Sequence, residues 1–194
     1  MKKELQPDDR AAVRIFDAQT MRRAIRRIAH EIIEHNRNLA ALVLAGIPAR
    51  GTELARRLAA DIETIEKVRI ETGIIDVSMH RDDLRKRGAL PVVRASQLPL
   101  PLDHRTVVIV DDVLFTGRTC RAAMDAVGSF GRPACIQLAV LIDRGHRELP
   151  IRPDYVGKNL PTSRTERVRV RLQETDHETD GVWLEKDVNG ITTP

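Results

Sequence analysis

The sequence predicts an α/β fold, a mainly parallel twisted sheet flanked by helices, on three observations. The aliphatic runs LAALVLAG (39–46), VVIV (107–110) and ACIQLAVLI (134–142) are too continuous for strands with one wet face, so they read as strands buried on both faces. Segments with helical spacing stand between them, and strands alternating with helices build parallel sheets. The chain is 42% hydrophobic but only 3% aromatic, so its core is aliphatic, as suits such a sheet.

Taken in order, residues 1–15 read as an N-terminal extension. Asp17 is the expected N-cap of a helix to about Asn36, with Met21, Ala24, Ile25, Ile28 and Ile32 as its apolar stripe. LAALVLAG is a strand, followed by the loop GIPARG (46–51) and a helix beginning near Thr52. IIDVSM (74–79) is the next strand, and 81–105 is a long polar connection with several prolines. VVIV, a loop and the helical RAAMDAV follow, then ACIQLAVLI. Residues 143–164 read as irregular and rich in charge, and RVRVRL and VWLE as short late strands. With 194 residues and no repeats, a single domain is expected.

No stretch is apolar enough to span a membrane, and MKKELQPDDR lacks the apolar core of a signal peptide, so a cytoplasmic protein with no membrane partner is expected. Cys120 and Cys135 read as small buried hydrophobes rather than a disulfide or metal pair. Net charge is only +4, but 26 of the 32 basic residues are Arg, whose planar fork suits phosphate. HEIIEH (30–35) resembles a zinc motif, yet its histidines are five residues apart and fall on different helix faces, so they cannot share a metal.

The stretch VVIVDDVLFTGRTC (107–120) carries the chemistry. Asp111 and Asp112 belong where the strand leaves the sheet, at its carboxyl end, where open α/β sheets bind ligands. Thr116, Gly117, Arg118 and Thr119 then fall at a helix N-terminus, whose free N–H groups and dipole favour phosphate. The P-loop string G-x-x-x-x-G-K-[ST] and the dinucleotide string G-x-G-x-x-G are both absent. A phosphoryl-accepting aspartate pair would leave TGRT without a role, as would a plain acidic turn. GIPARG brackets Arg50 with glycines that permit close approach to an anion. Two anion sites flanking a carboxylate pair suit a sugar with phosphate groups at both ends.

VVIVDDVLFTGRT resembles the 5-phosphoribosyl 1-pyrophosphate (PRPP) motif of the type I phosphoribosyltransferases. DRGHRELPIRPDYVGKNLPTS, RRAIRRIAHEIIE and the RDD at 81–83 are similar to the PyrR family of bacterial pyrimidine-operon regulators, which are also uracil phosphoribosyltransferases. The resemblance runs from about residue 16 to 186. It implies the type I phosphoribosyltransferase fold with a small hood region, 143–165 as its base-binding segment and 80–105 as a flexible lid. Asp111, Asp112, Arg50 and Arg81 would be catalytic. The PRPP and UMP site would comprise Ala49, Arg50, Gly51 and Arg94 with Asp111, Asp112, Val113, Leu114, Phe115, Thr116, Gly117, Arg118 and Thr119. In it the carboxylates hold the ribose hydroxyls with Mg²⁺ nearby, 116–119 holds the 5′-phosphate, and 49–51 meets pyrophosphate. Uracil would lie near Asp143, Arg144, Val156, Lys158 and Asn159. Two departures from the family pattern are Ala49, where Thr is usual, and His80, where Tyr is usual.

Arg23, Arg26, Arg27 and His30 lie at i, i+3, i+4 and i+7 on one side of the first helix, which by spacing alone is equally a solvated charged face. The resemblance implies instead that they bind RNA, extended by His146, Arg147, Arg152 and Lys158. The partners implied are PRPP, uracil, UMP or UTP, pyrimidine-operon leader mRNA and further copies of the chain, as a homodimer or higher homo-oligomer. Leader binding would respond to uridine nucleotides and control attenuation or translation. The alternatives are a phosphoribosyltransferase for a purine or other base without an RNA role, and an RNA-binding regulator with little turnover.

Overall fold

The structure, a computed structural model, describes residues 12–77 and 96–186. Its centre is a parallel sheet of five strands in the order β3-β2-β4-β5-β6: β2 (Leu42–Gly46), β3 (Glu71–Ile74), β4 (Thr106–Leu114), β5 (Cys135–Asp143) and β6 (Tyr155–Asn159). Alternate side chains leave opposite faces, and both faces are covered, which is why these strands read as unbroken aliphatic runs. Leu42, Leu44, Val108, Val110, Ala139 and Leu141 pack under α1 (Ala18–His35) and α2 (Arg50–Glu66). Val43, Ala45, Val107, Ile109, Leu138 and Val140 pack with α3 (Arg118–Gly128). Among the described residues no helix is long and apolar enough to cross a membrane.

The helices form where caps and stripes agree. Asp17 accepts the Thr20 N–H at 2.7 Å and starts α1, whose buried residues include Met21, Ala24, Ile25, Ile28 and Ile32. At its far end Asn36 donates to Tyr155 Oη and Gln137 Oε1, both at 3.1 Å, joining the C-cap to β5 and β6.

A three-stranded antiparallel sheet completes the molecule, in the order β1-β8-β7: β1 (Ala12–Phe16), β7 (Glu166–Arg171) and β8 (Gly181–Lys186), with the single turn α4 (Gln173–Asp176) between the last two. Phe16, Val170 and Val182 from this sheet, with Leu172 at the start of α4, enter the core under α1 and α2. We call it the hood.

The structure corrects five local expectations. Residues 12–16 are a strand rather than extension, because their partner β8 lies at the other end of the chain and no local pattern announces it. The strand expected at 74–79 is β3 at 71–74, since β2 ends at Gly46, whose carbonyl takes the Ile75 N–H at 3.0 Å, and it carries the ladder no further; 78 and 79 lie outside the described residues. The stretch expected to be irregular contains β6, where Gly157 hides the strand. A Cβ there would lie 2.4 Å from Leu141 O, so only glycine lets β6 close on β5. Helix α2 begins at Arg50 rather than near Thr52, which puts Arg50 and Gly51 in its first turn. Cys135 is exposed at the amino end of β5, while Cys120 is buried and its thiol is pushed up to about 11 by that burial.

Candidate active site

All five parallel strands end at one edge, so the loops after β2, β4 and β5 meet there. Contact between them depends on glycine. A Cβ on Gly51 would sit 2.3 Å from Val110 O, and one on Gly46 would sit 2.4 Å from Thr52 Cα. With neither present, α2 starts against β4, and Ile47 N–H donates to Val110 O at 2.9 Å. The Pro48–Ala49 peptide is cis. Ala49 is the N-cap of α2 and makes no side-chain cap, so this loop offers an anion its main chain and Arg50.

Asp111 and Asp112 are half-buried near the end of β4. Asp111 Oδ1 accepts the Asp112 N–H and Asp112 Oδ1 accepts the Val113 N–H, each at 2.9 Å, which fixes both carboxylates. Asp112 Oδ2 lies 3.9 Å from Arg50 Nη1. Burial pushes the Asp112 carboxyl above its ordinary range, and the Arg50 charge only partly offsets this. Such a group gains from any hydroxyl or cation delivered to it.

Arg50 is held from the other side. Its Nε and Nη2 donate to Asp176 of α4 at 3.0 and 2.5 Å. That hydrogen bond, with the Asp112 and Asp176 charges, raises the guanidinium pKa against the opposing effect of burial. Seven residues along α2, Arg57 donates to Asp180 and Glu174, each as near as 2.6 Å. Sequence reasoning missed all three acids. Their only signal was the acidic run QETDHETD, which has no visible partner in sequence.

The TGRT loop turns into α3 at Gly117, whose φ of +93° favours glycine. Thr116, Arg118 and Thr119 surround the main-chain N–H groups of the first turn, and the Arg118 N–H donates to Thr116 Oγ1 at 3.4 Å. The segment after β5 braces this loop from behind: Glu148 N–H donates to Thr116 O at 3.0 Å, Arg144 N–H to Leu114 O at 3.1 Å, and Arg147 Nη1 to Phe115 O at 2.7 Å. The Arg144 guanidinium lies 4.0 Å over the Phe115 ring.

Of the uracil set, Asp143, Arg144 and Asn159 line one cavity of about 360 Å³, with Gly145, His146, Pro161 and Thr162. Arg144 is buried and donates to Thr162 Oγ1 and Ser163 O at 3.1 and 3.0 Å. Val156 and Lys158 are not in that lining.

Of the RNA set, Arg23, Arg26, Arg27 and His30 are exposed along α1, and Arg152 and Lys158 are exposed beyond it. Arg27 Nη2 donates to Val156 O and Gly157 O at 2.9 and 2.6 Å, so the helix face continues onto β6 next to Lys158. His146 and Arg147 point elsewhere. His146 Nε2 lies 2.6 Å from Thr162 O. Arg147 serves Asp143, Phe115, Gly145 and Ile151, so its donors hold the loops rather than offer themselves to phosphate. Arg81, Arg94 and His80 lie outside the described residues.

Residues 12–175 match the phosphoribosyl transferase domain family. Proteins called "Bifunctional protein PyrR" are similar over most of the chain. The one from Roseiflexus sp. (strain RS-1) is 59% identical, covering 88% of this chain and 93% of its own. The one from Bacillus pumilus is 54% identical over 84% and 91%. The chain belongs to the PyrR family of phosphoribosyltransferases. It also shares its fold with hypoxanthine phosphoribosyltransferases of much lower identity. The Trypanosoma cruzi enzyme in complex with the product IMP superposes with a TM-score of 0.67 at 19% identity, covering 95% of this chain and 94% of that one. The Staphylococcus aureus enzyme in its orthorhombic form gives 0.68 at 17% identity, over 95% and 97%.

Proposed function

We propose that this protein converts uracil and PRPP to UMP and pyrophosphate, and binds pyrimidine-operon leader mRNA in response to uridine nucleotides. The observation that carries the enzymatic half is Asp111 and Asp112 standing between the Arg50 loop and the Gly117 turn at one sheet edge. The carboxylates accept the ribose 2′- and 3′-hydroxyls, and the first turn of α3 takes the 5′-phosphate through its N–H groups. As the bond from C1′ to pyrophosphate breaks, the ring gains oxocarbenium character, and the two half-buried carboxylates favour that positive charge. Arg50 and the start of α2 receive the departing anion. The cavity at Asp143, Arg144 and Asn159 presents acceptor, donor and amide groups to the uracil edge.

Phosphoribosyltransferases use PRPP with Mg²⁺, and the donor set fits that ion: two carboxylates are hard oxygen ligands of the kind Mg²⁺ takes alongside substrate oxygens. Among the described residues no cluster of three His, Cys, Asp or Glu would cage a metal unaided, so Asp111 and Asp112 would share the ion with PRPP. When bound, it would stabilise charge on pyrophosphate.

The exposed face of α1 continuing to Lys158 supports the RNA half, since Arg23, Arg26, Arg27 and His30 are exposed on one helix and belong to neither the Arg50 loop nor the TGRT turn. With only 3% aromatic residues, recognition rests on phosphates and RNA shape more than on stacking. The test of the enzymatic half is a panel of uracil, hypoxanthine, guanine and orotate with Mg-PRPP. Uracil alone should give a mononucleotide, and a purine nucleotide in its place would overturn the assignment.

A further inference from the structure

Between the hood and the sheet edge lies a pocket of about 310 Å³. Arg50, Asp112 and Asp176 form one wall, and β7 from Arg167 to Arg171 forms the other. β7 is an edge strand of the hood. Val168 and Val170 pack their side chains on the core, so what they give the pocket is main chain, and an unpaired edge carries N–H groups. The arginines of the pocket are not equivalent. Arg50 is bound by Asp176, Arg169 by Glu185 at 3.0 Å, and Arg171 by Glu178 while it lies over the Trp183 ring. The Arg167 side chain is exposed and has no hydrogen-bond or ion-pair partner among the described residues, although Asp112 lies on the same pocket. Glu185, the cross-strand neighbour of Arg167, is taken by Arg169, so an arginine whose side chain is unpaired shares a polar pocket with Asp112 and Arg50 and is placed for an anion that arrives with the substrate.

We propose that Arg167 is a further binding residue of the transferase site, meeting the pyrophosphate end of PRPP from the hood side, opposite the Arg50 loop. This rests on the proposed transferase reading. The hood would then contact the leaving group directly, and the guanidinium would grip it in bidentate fashion.

Calorimetry with magnesium pyrophosphate and, separately, with UMP tests this on the full chain. UMP has the 5′-phosphate and base but no pyrophosphate. Arg167→Gln should weaken pyrophosphate roughly five- to tenfold, the effect expected of one charged hydrogen bond, and leave UMP within about twofold. Arg167→Lys should recover only part of the affinity, since an ammonium keeps the charge but not the bidentate fork, and the KM for PRPP should follow pyrophosphate. Melting temperature should not move, since Arg167 holds nothing in the fold. Unchanged pyrophosphate affinity in Arg167→Gln overturns the proposal, and so does an equal weakening of pyrophosphate and UMP, which would mean a displaced hood. The base panel is a separate readout: a failed panel removes the uracil reading, whereas an unresponsive Arg167 in an active enzyme removes only this interaction.

Discussion

Arg50 and Asp176 join the start of α2 to the hood through two hydrogen bonds of 3.0 and 2.5 Å, although 126 residues separate them. Arg57 repeats the device two turns along α2 with Glu174 and Asp180. The hood is thus fastened to the helix whose first turn serves the site, and its fastening depends on ionised acids.

The pH dependence follows with a definite sign. Burial pushes Asp176 and Asp180 up, but hydrogen bonds from Arg50 and Arg57, main-chain N–H groups and nearby arginine charges outweigh it, holding both carboxyls below their ordinary value. Groups depressed in the folded state stabilise it above their unfolded pKa, about 3.8, and lose that contribution as pH falls through the folded values. Melting temperature should therefore drop steeply below about pH 4. Asp176→Asn with Asp180→Asn should lower the melting temperature at pH 7 and flatten that acid limb. A double variant with an unaltered limb would remove these pairs from the account.

Asp112 has the opposite sign. Burial raises its pKa, so its ionised form weighs against the fold at neutral pH, and the penalty shrinks as pH falls below the folded value and is gone below the unfolded one, about 3.8. Asp112→Asn should therefore melt higher than wild type at pH 7, with the gap closing in acid. Asp111→Asn with Asp112→Asn should abolish UMP formation while the protein remains folded, because Asn keeps the Oδ1 acceptor that each aspartate uses toward the next N–H. A folded double variant with wild-type turnover would place the chemistry elsewhere.

Two glycines separate close packing from backbone conformation. Gly51→Ala drives a Cβ onto Val110 O, and forcing atoms into a packed region costs about 1–3 kcal/mol. For a chain of this size that corresponds to roughly 2–4 °C of melting temperature per kcal/mol, accompanied by loss of turnover. At Gly117 the nearest side-chain atoms are 3.5 Å away, so space is not the obstacle. The φ of +93° is, and a β-branched Val there costs about 1–3 kcal/mol and distorts the phosphate turn. UMP affinity measured by calorimetry should fall by at least tenfold in Gly117→Val. Unchanged affinity would remove the TGRT turn from the site.

These glycines also show what the sequence could and could not disclose. The VVIVDDVLFTGRT stretch is legible because its strand, carboxylates, turn and helix start are contiguous, and contiguous residues carry their geometry with them. α1 is legible down to its cap, since Asp17 and its apolar stripe are local signals. β1 is not, because strand pairing with β8 joins the two ends of the chain. β6 is not, because Gly157 and the polar Lys158 and Asn159 are read locally as loop, whereas the partner β5 dictates the glycine. Arg147 reads as a surface cation because spacing does not reveal that Phe115 O and Asp143 face it.

The same distinction selects the variants for RNA. Arg23, Arg26, Arg27 and His30 share one exposed side of α1, but Arg27 also bonds Val156 O and Gly157 O on β6 and pairs with Glu31. Replacing Arg27 would loosen β6 beside Asn159, and any weakening of RNA binding would then be confounded with damage at the base cavity. Among the described residues Arg23 and Arg26 have no such bond to the sheet edge. Arg23→Gln with Arg26→Gln should therefore weaken binding to a pyrimidine leader stem-loop while uracil turnover stays within about twofold. For every phosphate the variant no longer neutralises, the dependence of log affinity on log salt should flatten by roughly 0.7–0.9. UMP should tighten RNA binding in the wild type, and by linkage RNA should tighten UMP by the same factor. Filter binding across a salt series, with and without UMP, measures affinity, salt slope and coupling together. Equal affinity and equal slope for wild type and the double variant would mean that this side of α1 meets only water.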